Sequence, residues 1–204
     1  MSAQLVSNIE SILKEAIKIS GDIIELGVYR GGNTFIIGEF LRRHKIFDTK
    51  YVGFDTFCGY TEEDISTSPN KDGLRSNQES GRWNVDVADV LAQIKKREIS
   101  DYCDLVRGDI KETIGSFLEK RESSYRVSMV YIDCNAYLPA ITALDHLKDF
   151  LSEGACLVVD EHQIGGETAA LREFIKRNNR DVKIQDMGWK FPHGPKYLAR
   201  WSSS

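Results

Sequence analysis

The chain lacks any apolar run long enough to cross a bilayer, so no helical membrane span is expected. Its first residues, MSAQLVSNIESILKEAIK, have no signal-peptide core, and their apolar positions are spaced for an amphipathic helix instead. Cysteine is scarce and unpaired in spacing: Cys58, Cys103, Cys134 and Cys156 fit neither a disulfide framework nor a zinc site. Free thiols and a cytoplasmic setting follow as the expectation. There is no excess of positive charge, with 27 Lys and Arg against 31 Asp and Glu for a net charge of -4. That balance argues against nucleic acid or an anionic membrane as the main partner. Repeats and low-complexity tracts are absent, as are the Gly-x-Gly-x-x-Gly and Gly-Lys-Ser/Thr signatures of phosphate-binding loops.

What is present is an alternation of short β-rich runs with helical ones. At 204 residues and 41% hydrophobic content the chain suits one domain over 1–204 with a full core. Apolar spacing predicts helices over 5–19, 33–43, 86–98, 111–120, 138–151 and 167–178. It predicts strands over 23–26, 51–54, 103–107, 128–132 and 155–159, and two final strands over 182–186 and 197–201. Such alternation implies an α/β fold, a mostly parallel seven-stranded sheet with helices on both faces. Ligands then sit beyond the carboxyl ends of the strands. The polar stretch 56–85 breaks the rhythm, and reads either as a lid or as a surface excursion.

After the first strand stands Glu25-Leu26-Gly27-Val28-Tyr29-Arg30-Gly31-Gly32. The glycines let a backbone pass close to a ligand. A carboxylate at this place would repel a pyrophosphate and suits a ligand with a cationic group. Asp55, after the second strand, either takes ribose hydroxyls or caps a turn. Asp109, after the third, either forms a capping box with Glu112 or touches an adenine ring. Asp133 and Asn135 follow the fourth strand; Asp160, Glu161 and His162 follow the fifth. Adjacent strands would bring Asp133, Asp160 and Glu161 together as hard oxygen ligands suited to Mg²⁺ or Mn²⁺ rather than zinc, unless they face solvent and never meet. His162, within that acidic group, is a candidate general base. His44 and His146 fall in helices and read as structural or exposed, and His193 falls in a turn.

These residues together resemble a known family. ELGVYRGGNT is similar to the first motif of class I S-adenosylmethionine-dependent methyltransferases. With YVGFDTFCGY, VYIDCNAY and GACLVVDEH it resembles the macrocin O-methyltransferases, which modify sugar hydroxyls of natural products. The resemblance covers about residues 20–180. Asp133 and Tyr137 match that family's Asp-x-Asp-x-Tyr, with Asn135 in place of its second Asp; Asp160 matches its Asp-Asp, with Glu161 replacing the neighbour.

The resemblance implies S-adenosyl-L-methionine as cofactor, with Glu25, Gly27 and Gly31 along its methionine part and Thr34 and Asp133 also among the residues that bind it. Asp55 would hold its ribose, and Asp109 would lie near its adenine. It implies Mg²⁺ on Asp133, Asp160 and Glu161; Asp133 and, from its place in that acidic group, His162 are the expected catalytic residues. The segment 56–85 would close over a small-molecule acceptor. Metal-independent transfer to oxygen or nitrogen, with His162 or Tyr137 positioning the acceptor, and a nucleoside-binding module without turnover are the alternatives. Self-association stays open.

Overall fold

A computed structural model describes residues 2–160, 166–178, 182–188 and 194–202. The first helix, α1 (Ala3–Ala16), is started by Ser2, whose hydroxyl accepts from the Leu5 amide. The chain then alternates β1 (Asp22–Leu26), α2 (Gly32–His44) and β2 (Tyr51–Asp55). Two short helices, α3 (Glu62–Thr67) and α4 (Lys71–Glu79), precede α5 (Val87–Lys96) and β3 (Cys103–Arg107). Next come α6 (Ile110–Leu118), β4 (Val127–Ile132), α7 (Tyr137–Leu147) and β5 (Leu151–Val159). The described chain closes with α8 (Gly166–Arg177), β6 (Gln185–Asp186) and β7 (Tyr197–Arg200).

The seven strands form one sheet in the order β3-β2-β1-β4-β5-β7-β6. β1 to β5 are parallel, and β7 runs antiparallel to both neighbours. The expected α/β, mostly parallel architecture is therefore what the molecule adopts. The order reverses between β1 and β4, so successive crossovers leave in opposite directions and a crevice opens at their carboxyl ends.

Both faces of the sheet are covered, which is why the central strands are buried and mostly apolar, with Glu25 and Ser128 as buried polar exceptions. Ile24, Leu26, Val130, Ile132 and Val159 pack against Ile114, Leu144, Leu171 and Phe174 of α6, α7 and α8. Ile23, Tyr51, Met129, Tyr131 and Val158 pack against Ile9, Leu13, Ile37, Phe40 and Ile94 of α1, α2 and α5. Strand alternation puts Glu25 on that second face with Ile23.

Three expectations need correction. The helix expected over 138–151 ends at Leu147, because Leu151 already pairs with Val127 in the sheet. Of the strand expected over 182–186, only Gln185 and Asp186 pair. The polar stretch 56–85 contains α3 and α4, anchored by buried Ile65 and Leu74 against Ala136. With so few apolar anchors, these helices carry no periodic stripe for a sequence reading to detect.

Candidate cofactor and active site

Glu25, on the central strand β1, is 1% exposed. Its carboxyl accepts from Asn33 Nδ2 at 2.8 Å and from the Tyr51 hydroxyl, which also shares a hydrogen bond with Thr34 Oγ1 at 2.7 Å. Gly53 makes this reach feasible: a Cβ there would lie 2.5 Å from the Tyr51 hydroxyl. Burial is the main reason the Glu25 pKa rises to about 8, and the hydrogen bonds from Tyr51 and Asn33 only partly oppose it. Thr34 is fully buried with its hydroxyl on Tyr51, so it lies beneath the crevice.

The turn after β1 is fixed by close approach. Gly27 has φ 95°, and a Cβ there would sit 2.3 Å from the Asp133 carbonyl oxygen. Gly31, at φ 76°, starts α2 without any side-chain cap, leaving the first amides of that helix for a ligand. Asp55 closes the turn from the side. Its Oδ2 accepts from the amides of Val28 and Tyr29 at 2.8 and 2.7 Å, and its Oδ1 from Phe57 N at 2.6 Å. Oδ2 thus has both lone pairs engaged, which leaves one acceptor direction on Oδ1 rather than a bidentate grip.

Asn33, in the first turn of α2, bridges the two strand-end carboxylates. The same Nδ2 that meets Glu25 also lies 3.1 Å from Asp133 Oδ2. Asp133 has its pKa pushed well above the ordinary carboxylate range, first by burial and then by Asp160, Glu167 and Glu25. Asp160, 4% exposed, accepts from the Tyr131 hydroxyl at 2.9 Å and from Gly194 N at 2.8 Å. Glu167, 1% exposed at the start of α8, accepts from the Asn135 amide at 2.6 Å. Asn135 has φ 55°, and its buried Oδ1 has no hydrogen-bond partner among the described residues.

The structure therefore brings Glu25, Gly27, Gly31, Asp55, Asp133 and Asp160 to one crevice. Glu161 and His162 lie outside the described residues, as does His193. Among the described residues no group of three His, Cys, Asp or Glu side chains is spaced to hold a metal ion. Asp109 caps α6 through the Lys111 amide at 3.0 Å, so the expected capping box with Glu112 is not the motif that forms. Tyr137 donates to Glu173 on α8 at 2.5 Å, which commits its hydroxyl to that helix.

Several contributors escaped the sequence reading. Asn33 stood inside the quoted motif but carried no charge to flag it. Tyr51 and Tyr131 looked like ordinary strand residues, and Glu167 like a helix-start acid. For the two tyrosines, alternation phase relative to Glu25 was the available signal, since both lie on strands beside β1; Asn33 and Glu167 lie on helices and carried no such signal. Above the crevice, Trp83 packs edge-on against Tyr29 at 4.9 Å and against Tyr60 at 6.2 Å, bringing the end of the 56–85 segment onto the glycine turn.

Comparison with known proteins agrees with this geometry. The chain is 24% identical over 172 residues to 8-demethyl-8-(2,3-dimethoxy-alpha-L-rhamnosyl)-tetracenomycin-C 4'-O-methyltransferase of Streptomyces olivaceus, covering 83% of this chain and 62% of that protein. It is 23% identical to mycinamicin III 3''-O-methyltransferase of Micromonospora griseorubida, covering 88% of this chain and 69% of that one. The chain thus spans less than two thirds of the length of the first of these relatives. Its fold matches the crystal structure of CalS11, a calicheamicin methyltransferase, with a TM-score of 0.77 at 21% identity, over 96% of this chain and 78% of that one. Residues 2–191 match the model of the TylF family. The chain belongs to the macrocin O-methyltransferase family.

Proposed function

We propose that the protein transfers a methyl group from S-adenosyl-L-methionine to a hydroxyl of a small molecule, a sugar or natural-product-like acceptor. The observation that carries this reading is the Glu25–Asn33–Asp133 bridge beside the uncapped start of α2. An amino-acid ligand carries an ammonium and a carboxylate. Asn33 Oδ1 and Asp133 suit the ammonium, with Glu25 supplying charge from behind. The free amides of α2 suit the carboxylate. Asp55 offers its remaining acceptor direction to one ribose hydroxyl, and Asp109 borders the adenine side.

In the proposed reaction the acceptor oxygen attacks the sulfonium methyl carbon in line. The new O–C bond forms as the C–S bond breaks, and that electron pair leaves on sulfur to give a neutral thioether. Positioning therefore dominates, with one proton to remove from the acceptor hydroxyl. His162 is the proposed proton acceptor, with Asp133 beside the reacting centre. Burial and the neighbouring acids raise the Asp133 pKa in the cofactor-free protein, which favours a bound positive charge beside it.

Asp133 and Asp160, with Glu161, are the donors that would hold a divalent cation. The crowding of carboxylates around Asp133 and the orphaned Asn135 Oδ1 favour positive charge in this place. Such a cation, when bound, lowers the pKa of an acceptor hydroxyl. The test is a screen of glycosylated acceptors read by S-adenosylhomocysteine formation, with Mg²⁺ and with chelator. Failure to bind the cofactor at millimolar concentration would refute the whole reading; turnover indifferent to chelator would refute the cation.

A further inference from the structure

Lys111 is out of place by ordinary rules. It stands in the first turn of α6, where unsatisfied backbone amides make a cation unfavourable. Its side chain is nevertheless only 14% exposed. The ammonium lies 2.7 Å from Asp64 Oδ1 and 2.9 Å from Asp109 Oδ2, and donates to Thr61 Oγ1 at 3.3 Å. Burial pulls its pKa down, and the bonds to Asp64 and Asp109 outweigh that and hold it above the usual lysine value.

The partners belong to separate parts of the chain. Asp64 and Thr61 form the capping box that starts α3, the first helix of the 56–85 segment. Asp64 is itself buried, at 5% exposed. Asp109 begins α6, and its neighbour Gly108 donates to the Asp55 carbonyl at 2.9 Å. Asp55 in turn holds the Val28 and Tyr29 amides of the glycine turn. Polar contacts joined by the backbone of Gly108–Asp109 and of Asp55 thus lead from α3 through Lys111 to the cofactor turn. Without the ammonium, Asp64 and Asp109 would present like charges across the same small gap.

We propose that Lys111 is a positioning residue that latches the 56–85 segment onto the β3–α6 turn, so that placement of this lid and affinity for the cofactor are coupled through one side chain. The proposal rests on the cofactor reading above. Its test compares the wild type with K111M, K111R and D64N, by calorimetry with S-adenosylmethionine and by amide hydrogen exchange without it. K111M should bind the cofactor about tenfold more weakly, the loss expected when one partner of a half-buried charged hydrogen bond is removed. Exchange should quicken over 56–80 and stay unchanged in β1, β4 and β5. K111R should restore most of both, and D64N should reproduce K111M from the lid side, which also covers a K111M protein that does not fold.

Three results would overturn the latch: affinity within about twofold of wild type, weakened affinity with unchanged lid exchange, or exchange that rises evenly across the sheet. If the wild type itself binds no cofactor, the cofactor reading fails separately. The exchange comparison then still decides whether Lys111 holds the lid.

Discussion

Replacing Glu25 with Gln should move stability and cofactor binding in opposite directions. The unfolded chain ionises this group at 4.5, whereas the folded, cofactor-free protein holds the proton to about 8. Between those values the folded state binds more protons, so stability falls as pH rises through the window. A difference of about 3.5 units at about 1.36 kcal/mol each corresponds to roughly 5 kcal/mol, lost in full once the pH has risen past about 8. Gln cannot ionise and escapes that loss. Its amide also fits the existing network: Nε2 donates to the Tyr51 oxygen, Tyr51 donates to Thr34, and Oε1 accepts from Asn33.

Denaturant titrations of the cofactor-free proteins at pH 5 to 9 are the assay. Wild type and E25Q should agree near pH 5 and diverge with rising pH, with E25Q the more stable. Parallel profiles would refute the buried, proton-holding Glu25. Cofactor affinity should instead fall in E25Q, because the ammonium loses a carboxylate. At pH 7 about nine-tenths of Glu25 is protonated in the free protein, so binding of a cationic ligand should release protons. Calorimetry in two buffers of different ionisation enthalpy measures that release, and a buffer-independent enthalpy would contradict it.

Other expected outcomes follow from the same geometry. D55A frees three backbone amides and should lower stability by about 2–4 kcal/mol by denaturation while weakening the cofactor; unchanged stability would mean the turn does not depend on it. G27A places a Cβ against the Asp133 carbonyl at 2.3 Å and should cost about 3 kcal/mol or more, seen as a lowered midpoint; a wild-type midpoint would deny the close approach. D160N should leave cofactor affinity near wild type and abolish any Mg²⁺-stimulated turnover; turnover that keeps its Mg²⁺ dependence would remove Asp160 from the proposed ligands. W83A removes the ring that seats the lid on Tyr29 and should raise the acceptor KM more than the cofactor Kd, with equal effects arguing against a lid role.

Much of this protein was legible in its residues because strand-end chemistry is local. Alternating runs fixed a parallel α/β sheet, and the acids and glycines that follow each strand lie in a few consecutive positions. Glu25, Asp55, Asp109, Asp133 and Asp160 could each be found by asking what comes after an apolar strand. Their partners could not. Asn33 joins Glu25 to Asp133 only because the order of strands sets β1 beside β4, a pairing of residues about a hundred positions apart. The Tyr51 grip on Glu25 needs the register that puts Gly53 opposite it, and the Lys111 latch needs the start of α3 set beside the start of α6. Sequence periodicity reports which face a residue occupies within its own element. Hydrogen-bond geometry between elements depends on register and crossover direction, and those are settled only when the sheet is assembled.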